Sequence, residues 1–314
     1  MIKDSQLAAR YHALEKGDNL FQRRARILQS MWRVEQGYPV GEHLGRQGKR
    51  LIGSRLAMPW AQATLANFLN ETIRQVVRNE VLNSDKRAGK LYAVPRLYND
   101  LLSSQPLCFN LFGELQQDLT LASRTFGDLM PAHVKQVTAI EFEYSPGRST
   151  ATYTADQSAF DVYVAFRTPH DQPGFVGIEV KYHENLKNAA ARHRSRYDEV
   201  AELMGCFKHE RLALLRQHPL QQIWRDHLLA GSLRQADHFK VGFFAVLYPE
   251  GNVNCATALQ AYRDCLTNDD SFITWTLEQF TSTIRHHTQA QWIDMFVERY
   301  LNFDKLEREF DLAR

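Results

Sequence analysis

The segments AFDVYVAFR (159–167) and FVGIEVKY (175–182), separated by TPHDQPG (168–174), decide how this chain folds. Side chains of a strand alternate between two faces. In the second segment Val176, Ile178, Val180 and Tyr182 form one apolar face. Glu179 and Lys181 then stand side by side on the other face, expected to be the exposed one. In the first segment Val162, Val164 and Phe166 share a face, while Asp161 looks the other way with Tyr163. The prolines and glycine of 168–174 mark a turn. An antiparallel hairpin through that turn sets Asp161 beside Glu179. Two carboxylates meeting on one sheet repel unless a cation separates them, and oxygen-only ligands select a hard cation such as Mg²⁺ or Mn²⁺. Lys181 fits as a third member, its ammonium positioning or deprotonating an attacking water or stabilising charge on a phosphoryl group. An acid-x-lysine triplet is equally at home as a surface ion pair on a strand. Here the strand is otherwise apolar, and an acid and a lysine are costly to bury there without a partner.

Outward from the hairpin, VTAIEFEY (137–144) reads as a preceding strand and FKVGFFAVLY (239–248) as a following one. Glu141 and Glu143 sit at the wet positions of the first of these. A helix starting at Pro106 carries Phe109, Phe112, Leu115 and Leu119 on one side. Further helices are expected over about 186–204 and 219–229. The order is helix, three strands, helix, strand: an α/β core with a mixed central sheet of four to five strands flanked by helices. Residues 1–104 read as a helical region, with one helix over about 60–82 and loops at Gly37–Gly41 and Gly45–Gly48. Residues 105–255 hold the core. Residues 256–314 read as C-terminal helices packed on it, one near 277–288 and another near 291–300.

The 314 residues are 44% hydrophobic and 24% charged, which excludes disordered and fibrous classes. The net charge of +2 says little, but arginine outnumbers lysine by more than two to one and is grouped. Arg23, Arg24, Arg26, Arg33, Arg46, Lys49, Arg50 and Arg55 load the first sixty residues, and Lys187, Arg192, His193, Arg194 and Arg196 follow the triplet. Guanidinium forks suit phosphate oxygens, and a solvated helix face laced with ion pairs is the other reading. Arg192 and Arg196, four apart, would share a helix face turned to a nucleic-acid backbone. Cys108, Cys206, Cys255 and Cys265 show neither metal-ligand spacing nor a disulfide framework and fit a reducing compartment, hence a cytoplasmic protein. No apolar run is long enough to span a bilayer. P-loop, Rossmann and GxSxG patterns are absent.

The pattern Asp161-x17-Glu179-x-Lys181 on the second and third strands of an αβββαβ order resembles the PD-(D/E)XK nuclease superfamily. More narrowly, RLYNDLLSSQPLCFNLFGEL, IEFEYSPGR, SAFDVYVAF, GIEVKYHENL and PLQQIWRDHLLA resemble a little-characterised bacterial family of restriction-endonuclease-like proteins, from about residue 20 to the C-terminus. Phe160 stands where that superfamily often has proline. The resemblance implies a restriction-endonuclease-like core and Mg²⁺-dependent hydrolysis of phosphodiesters, with DNA as the default substrate and Mn²⁺ able to substitute. It implies metal ligation by Asp161, Glu179 and the backbone carbonyl of Val180. Glu114, on the helix before the first strand, would act through water. Lys181 would be catalytic, and Lys187, His183, Arg192 and Arg196 would contact nucleic acid. His183 and Glu184 also read simply as a polar strand end leading to Asn185 as a helix cap. Restriction, anti-phage defence, mobile-element function and repair all fit, and a homodimer is compatible with the sequence. A non-catalytic nucleic-acid-binding protein on the same fold is the rival reading, although such proteins usually lose one of the three residues. A phosphatase on a metal–carboxylate site is a further one.

Overall fold

The computed structural model describes residues 2–45, 48–186 and 190–312. Their contacts gather the chain into two compact units. One comprises Met1–Asn83, Tyr92–Gly113 and Gln289–Arg314, the other Ser84–Leu91 and Glu114–Thr288. The division runs through the last 59 residues rather than before them, in contrast to the sequence-based boundaries.

The first unit is mostly helical, as its periodicity predicts. Asn19 caps the helix Leu20–Glu35: its side chain accepts the Gln22 N–H at 2.8 Å, and the Gln22 side chain accepts the Asn19 N–H at 3.1 Å. Two expectations change here. The stretch read as loops forms a hairpin, strands β1 (Val40–Gly45) and β2 (Gly48–Leu56). The helix expected over 60–82 is interrupted: Leu65 turns left-handed at φ 51°, and Asn70 caps a new helix, Glu71–Val77, by accepting the Ile73 N–H at 2.9 Å. At the centre of this unit Arg299 is fully buried. Its nitrogens donate to Gln29 Oε1 (3.1 Å), Asn67 O (2.7 Å) and Asn67 Oδ1 (2.6 Å), and its guanidinium lies 4.0 Å from the Trp32 ring centroid.

The second unit is built on a five-stranded sheet of order β3-β4-β5-β6-β7: Gln136–Tyr144, Phe160–Arg167, Pro173–Val180, Val241–Tyr248 and Phe272–Thr276. The first three strands form an antiparallel meander; β6 and β7 continue it in parallel. The mixed sheet flanked by helices is the architecture expected from sequence. β7 lies in the part expected to be wholly helical, where the alternating aromatic and β-branched FITWT was a readable strand signal. Helices Ser195–Met204, Leu220–Ala236 and Val253–Arg263 bury Tyr197, Trp224, Leu228 and Tyr262 in one cluster with Phe175, Phe244 and Phe272 of the sheet. Helices Leu119–Leu129 and Leu277–His287 meet through Phe126 and Phe280, whose edge-on rings are 5.7 Å apart. β5 runs between β4 and β6, so both of its edges are paired, and every residue from Gly174 to Val180 is buried, so both of its faces are covered as well. Packing on it is tight at Gly174 and Gly177, where an added Cβ would come within 2.5 Å of the Phe166 ring and 2.4 Å of the Phe160 ring.

The helix expected over 186–204 begins only at Ser195. Gln221 takes the backbone of the approach: its Oε1 accepts the Ala191 N–H at 2.5 Å and its Nε2 donates to Ala191 O at 2.7 Å. Groups that a helical turn would have used are thereby committed to a side chain.

Candidate active site

The β4–β5 register pairs Val162 with Ile178 and Tyr163 with Gly177, so one further step sets Asp161 opposite Glu179. There the strands stop exchanging backbone hydrogen bonds, and Asp161 Oδ2 accepts the Val180 N–H at 2.8 Å instead. The entry to β4 is anchored by Asp156. It accepts from Tyr197 Oη and Ser158 N at 2.7 and 2.9 Å, and Arg225 closes on it at 2.7 Å. Beyond β5, the Lys181 N–H still bonds Leu247 O of β6 at 2.8 Å. Asn252 donates to Tyr182 O at 3.0 Å and to Glu184 O at 3.1 Å, fixing the chain as it leaves the strand.

Glu179 and Lys181 were expected on an exposed face, but they are only 7% and 6% accessible. The helix Leu220–Ala236 covers them. Lys181 Nζ donates to Glu179 Oε1 at 2.5 Å and to Gln222 Oε1 at 3.1 Å, while Gln222 Nε2 donates to Glu179 Oε1 at 2.8 Å. One amide thus holds acid and lysine together from the opposite layer. Four residues further along the same helix, Asp226 is 5% accessible, and its buried Oδ2 has no hydrogen-bond partner among the described residues.

The electrostatics follow from this crowding. Burial and then the Glu179 charge push the Asp161 carboxyl well above the usual carboxylate range, against the Lys181 charge and the Val180 N–H. Burial and again Glu179 push Asp226 well above that range, against Arg225 and Lys181. Burial alone would lower the Lys181 ammonium, but the charges of Glu179, Glu184 and Asp161 outweigh it and hold the group above its ordinary value. Burial would raise Glu184, yet the charges of His183 and Lys181 and the Tyr182 N–H bring it below its ordinary value.

Asp161, Glu179, Lys181 and the Val180 backbone are therefore brought together as the spacing predicts. Glu114 is half-buried in the helix Ser104–Gln117, and the charges acting most on Asp161 are those of Glu179, Lys181 and Glu143, not Glu114. Glu143 was assigned to the wet face of its strand. At φ 49° it departs from strand geometry and pairs with Arg148 at 2.7 Å. His183 lies beside Glu184, with Nδ1 4.0 Å from Oε2. Lys187 lies outside the described residues. Arg192 is exposed and precedes the helix, so it shares no helix face with Arg196. Arg196 is spent on structure: it donates to Tyr153 O (2.9 Å), Thr152 O (3.1 Å) and Glu199 (3.0 Å). Four of the N-terminal arginines are similarly committed. Arg26 pairs with Asp18, Arg24 with Glu307 and Arg50 with Glu15, and Arg33 donates to Gly53 O and Tyr38 O. Gln222 and Asp226 were missed, although their i, i+4 spacing in QQIWRDH puts them on one helix face.

Among the described residues no group of three or more His, Cys, Asp or Glu side chains converges closely enough to hold a metal ion. The donors that do converge suit a hard divalent cation: the Asp161 carboxyl, raised by burial and then by the Glu179 charge, the Glu179 carboxylate facing it, and an Asp226 oxygen buried without a donor among the described residues.

A family model described as the PD-(D/E)XK nuclease superfamily matches residues 16–302. The chain belongs to that superfamily, which places it among the nucleases. Comparison with curated proteins and with solved structures returned no match. No described helix is long and apolar enough to cross a membrane.

Proposed function

We propose that this protein is a metal-dependent endonuclease hydrolysing the phosphodiester bonds of DNA, acting in the cytoplasm in restriction or anti-phage defence. The observation that carries the reading is the convergence of Asp161 and Glu179 at the splayed end of β4 and β5, with Lys181 hydrogen-bonded beside them. Asp161, Glu179 and the carbonyl of Val180 would hold Mg²⁺, or Mn²⁺ in its place, with Glu114 reaching it through water. When bound, the cation lowers the pKa of its water and screens the charge of the scissile phosphate.

The chain's own residues supply the rest. Lys181, charged and held by Glu179 and Gln222, enters as a cationic donor rather than a base. It orients the attacking water and offsets negative charge growing on the phosphate. Gln222 keeps the lysine from rotating away. His183, Lys187, Arg192 and Arg196 were the sequence-based candidates for backbone contact. Of those among the described residues, Arg192, joined by Arg194, is the exposed one. A homodimer would offer one such centre to each strand of a duplex.

The test is incubation of purified protein with plasmid, linear duplex, single-stranded DNA and RNA, with and without Mg²⁺ or Mn²⁺. Cleavage of DNA that requires the cation is expected, and Asp161→Asn, Glu179→Gln and Lys181→Ala should each reduce it by about a thousandfold or more. Wild-type cleavage rates in all three variants, or no cleavage of any nucleic acid, would overturn the proposal.

A further inference from the structure

The helix Leu220–Ala236 contributes more to the site than the amide that clamps Glu179 and Lys181. Asp226 lies one turn beyond Gln222, and residues four apart stack on one helix face. Its surroundings agree with that direction: among the charges acting on it Glu179 comes first, and Lys181 is another. The side chain is 5% accessible, and Oδ2 finds no hydrogen-bond donor among the described residues. Leaving a buried carboxylate oxygen without a donor costs about 1–3 kcal/mol, more when it is charged.

The neighbouring residues show that this chain does satisfy buried polar groups on the same helix. Arg225 donates to Asp156 and Ser158, and His227 uses both ring nitrogens, to Tyr262 Oη at 2.8 Å and Ser271 Oγ at 2.9 Å. Asp226 stands between them with a carboxylate oxygen left over. Trp224 Nε1 on the same helix also has no partner among the described residues, but it is a neutral donor packed among aromatic rings, whereas Asp226 is a carboxylate facing Glu179. A donor that is absent from the protein but present in the working site explains the Asp226 oxygen, and water held by a cation is such a donor. Polarised by the metal, that water donates strongly to a carboxylate, as do the outer partners that orient metal-bound groups elsewhere.

We propose that Asp226 is a further positioning residue of this site, a third acid that accepts a hydrogen bond from water on the cation held by Asp161 and Glu179. This rests on the nuclease reading above. It assigns the helix Leu220–Ala236 a double role: Gln222 orders the protein groups and Asp226 orders the water.

The test is Mn²⁺ titration by calorimetry, with thermal denaturation of metal-free and Mn²⁺-loaded protein, for wild type, Asp226→Asn and Glu179→Gln. Asp226→Asn keeps the shape and removes the charge that faces Glu179. The expected result is a metal-free melting temperature equal to or above wild type, together with Mn²⁺ affinity weakened about tenfold. Should the Asn variant not fold, Asp226→Ser, which leaves room for a water, serves the same comparison. Unchanged Mn²⁺ affinity with a lowered metal-free melting temperature would make Asp226 a structural residue and overturn the inference alone. If wild type and Glu179→Gln equally fail to bind Mn²⁺, the metal-dependent reading falls, and this inference with it.

Discussion

Both units bury charge, and they treat it in opposite ways. In the first, Arg299 has no accessible surface and all three of its nitrogens donate to Gln29 and Asn67, over a Trp32 ring that favours the cation. In the second, Asp161 and Asp226 crowd Glu179, and one Asp226 oxygen has no donor among the described residues. A buried charge whose partners are complete serves the fold. One whose partners are incomplete costs stability, and its persistence points to a partner that arrives later.

That contrast makes the first prediction the largest. Arg299→Met should destabilise the protein by about 3–4 kcal/mol, because it strands the oxygens of Gln29 and Asn67 in the core. Urea unfolding measures it, and a loss below about 1 kcal/mol would remove the distinction between the two kinds of buried charge.

His227 sharpens the contrast at the scale of adjacent residues. Burial pushes its imidazole from 6.5 down to about 3. The unfolded chain therefore binds a proton that the native one refuses, so stability is complete above pH 6.5 and falls by about 1.4 kcal/mol per unit as pH drops below it. Between pH 7.5 and 5 this amounts to about 2 kcal/mol. His227→Gln should be less stable than wild type at pH 7.5, and its deficit should shrink by about that amount at pH 5. A deficit that stays constant with pH would mean that the native ring takes up its proton as readily as the unfolded one.

Asp161 carries the opposite sign. Its native carboxyl is raised, so the native state binds the proton more tightly than the unfolded one. The metal-free protein is then penalised at high pH, and the penalty fades as pH falls through the raised value toward the ordinary one. Asp161→Asn should raise the metal-free melting temperature at pH 8, with the gain vanishing near pH 4, and should abolish the stabilisation by Mn²⁺. A variant that melts below wild type at pH 8 would contradict it.

The smallest effect separates the arginines. Arg192 and Arg194 are exposed, whereas Arg196 is fastened to Tyr153 and Thr152. Replacing Arg192 and Arg194 with alanine in a Lys181→Ala background should weaken DNA binding for all sequences alike. It should flatten the salt dependence by about 1 per lost phosphate contact, at unchanged stability. Arg196→Ala should instead cost about 1 kcal/mol of stability with the slope intact. Exchanged outcomes would reverse the assignment.

The hairpin was legible because its information is local. Period-two patterning in 159–167 and 175–182 and a Pro/Gly turn between them suffice to set Asp161 opposite Glu179. The strand β7 was written just as locally in FITWT and was overlooked beside stronger helical signals. The helix expected from 186 had the right composition, but Gln221 claims the backbone at Ala191 from 30 residues away, and a propensity of tenths of a kcal/mol per residue yields to such a contact.

By itself the sequence determined the superfamily, the order of elements from the helix before β3 to β6, the register of the central hairpin and the juxtaposition of Asp161, Glu179 and Lys181. Tertiary structure alone decided that both faces of β5 are buried, that Gln222 reaches Glu179 across 43 residues, that Asp226 joins them, and that several of the grouped arginines, Arg26, Arg33 and Arg196 among them, are tied to oxygens of the chain itself. The physical reason is range. Side-chain alternation and turn chemistry act between near neighbours in the chain. Burial, desolvation and the pairing of charges depend on which distant segment covers a site, and no spacing within one segment records that.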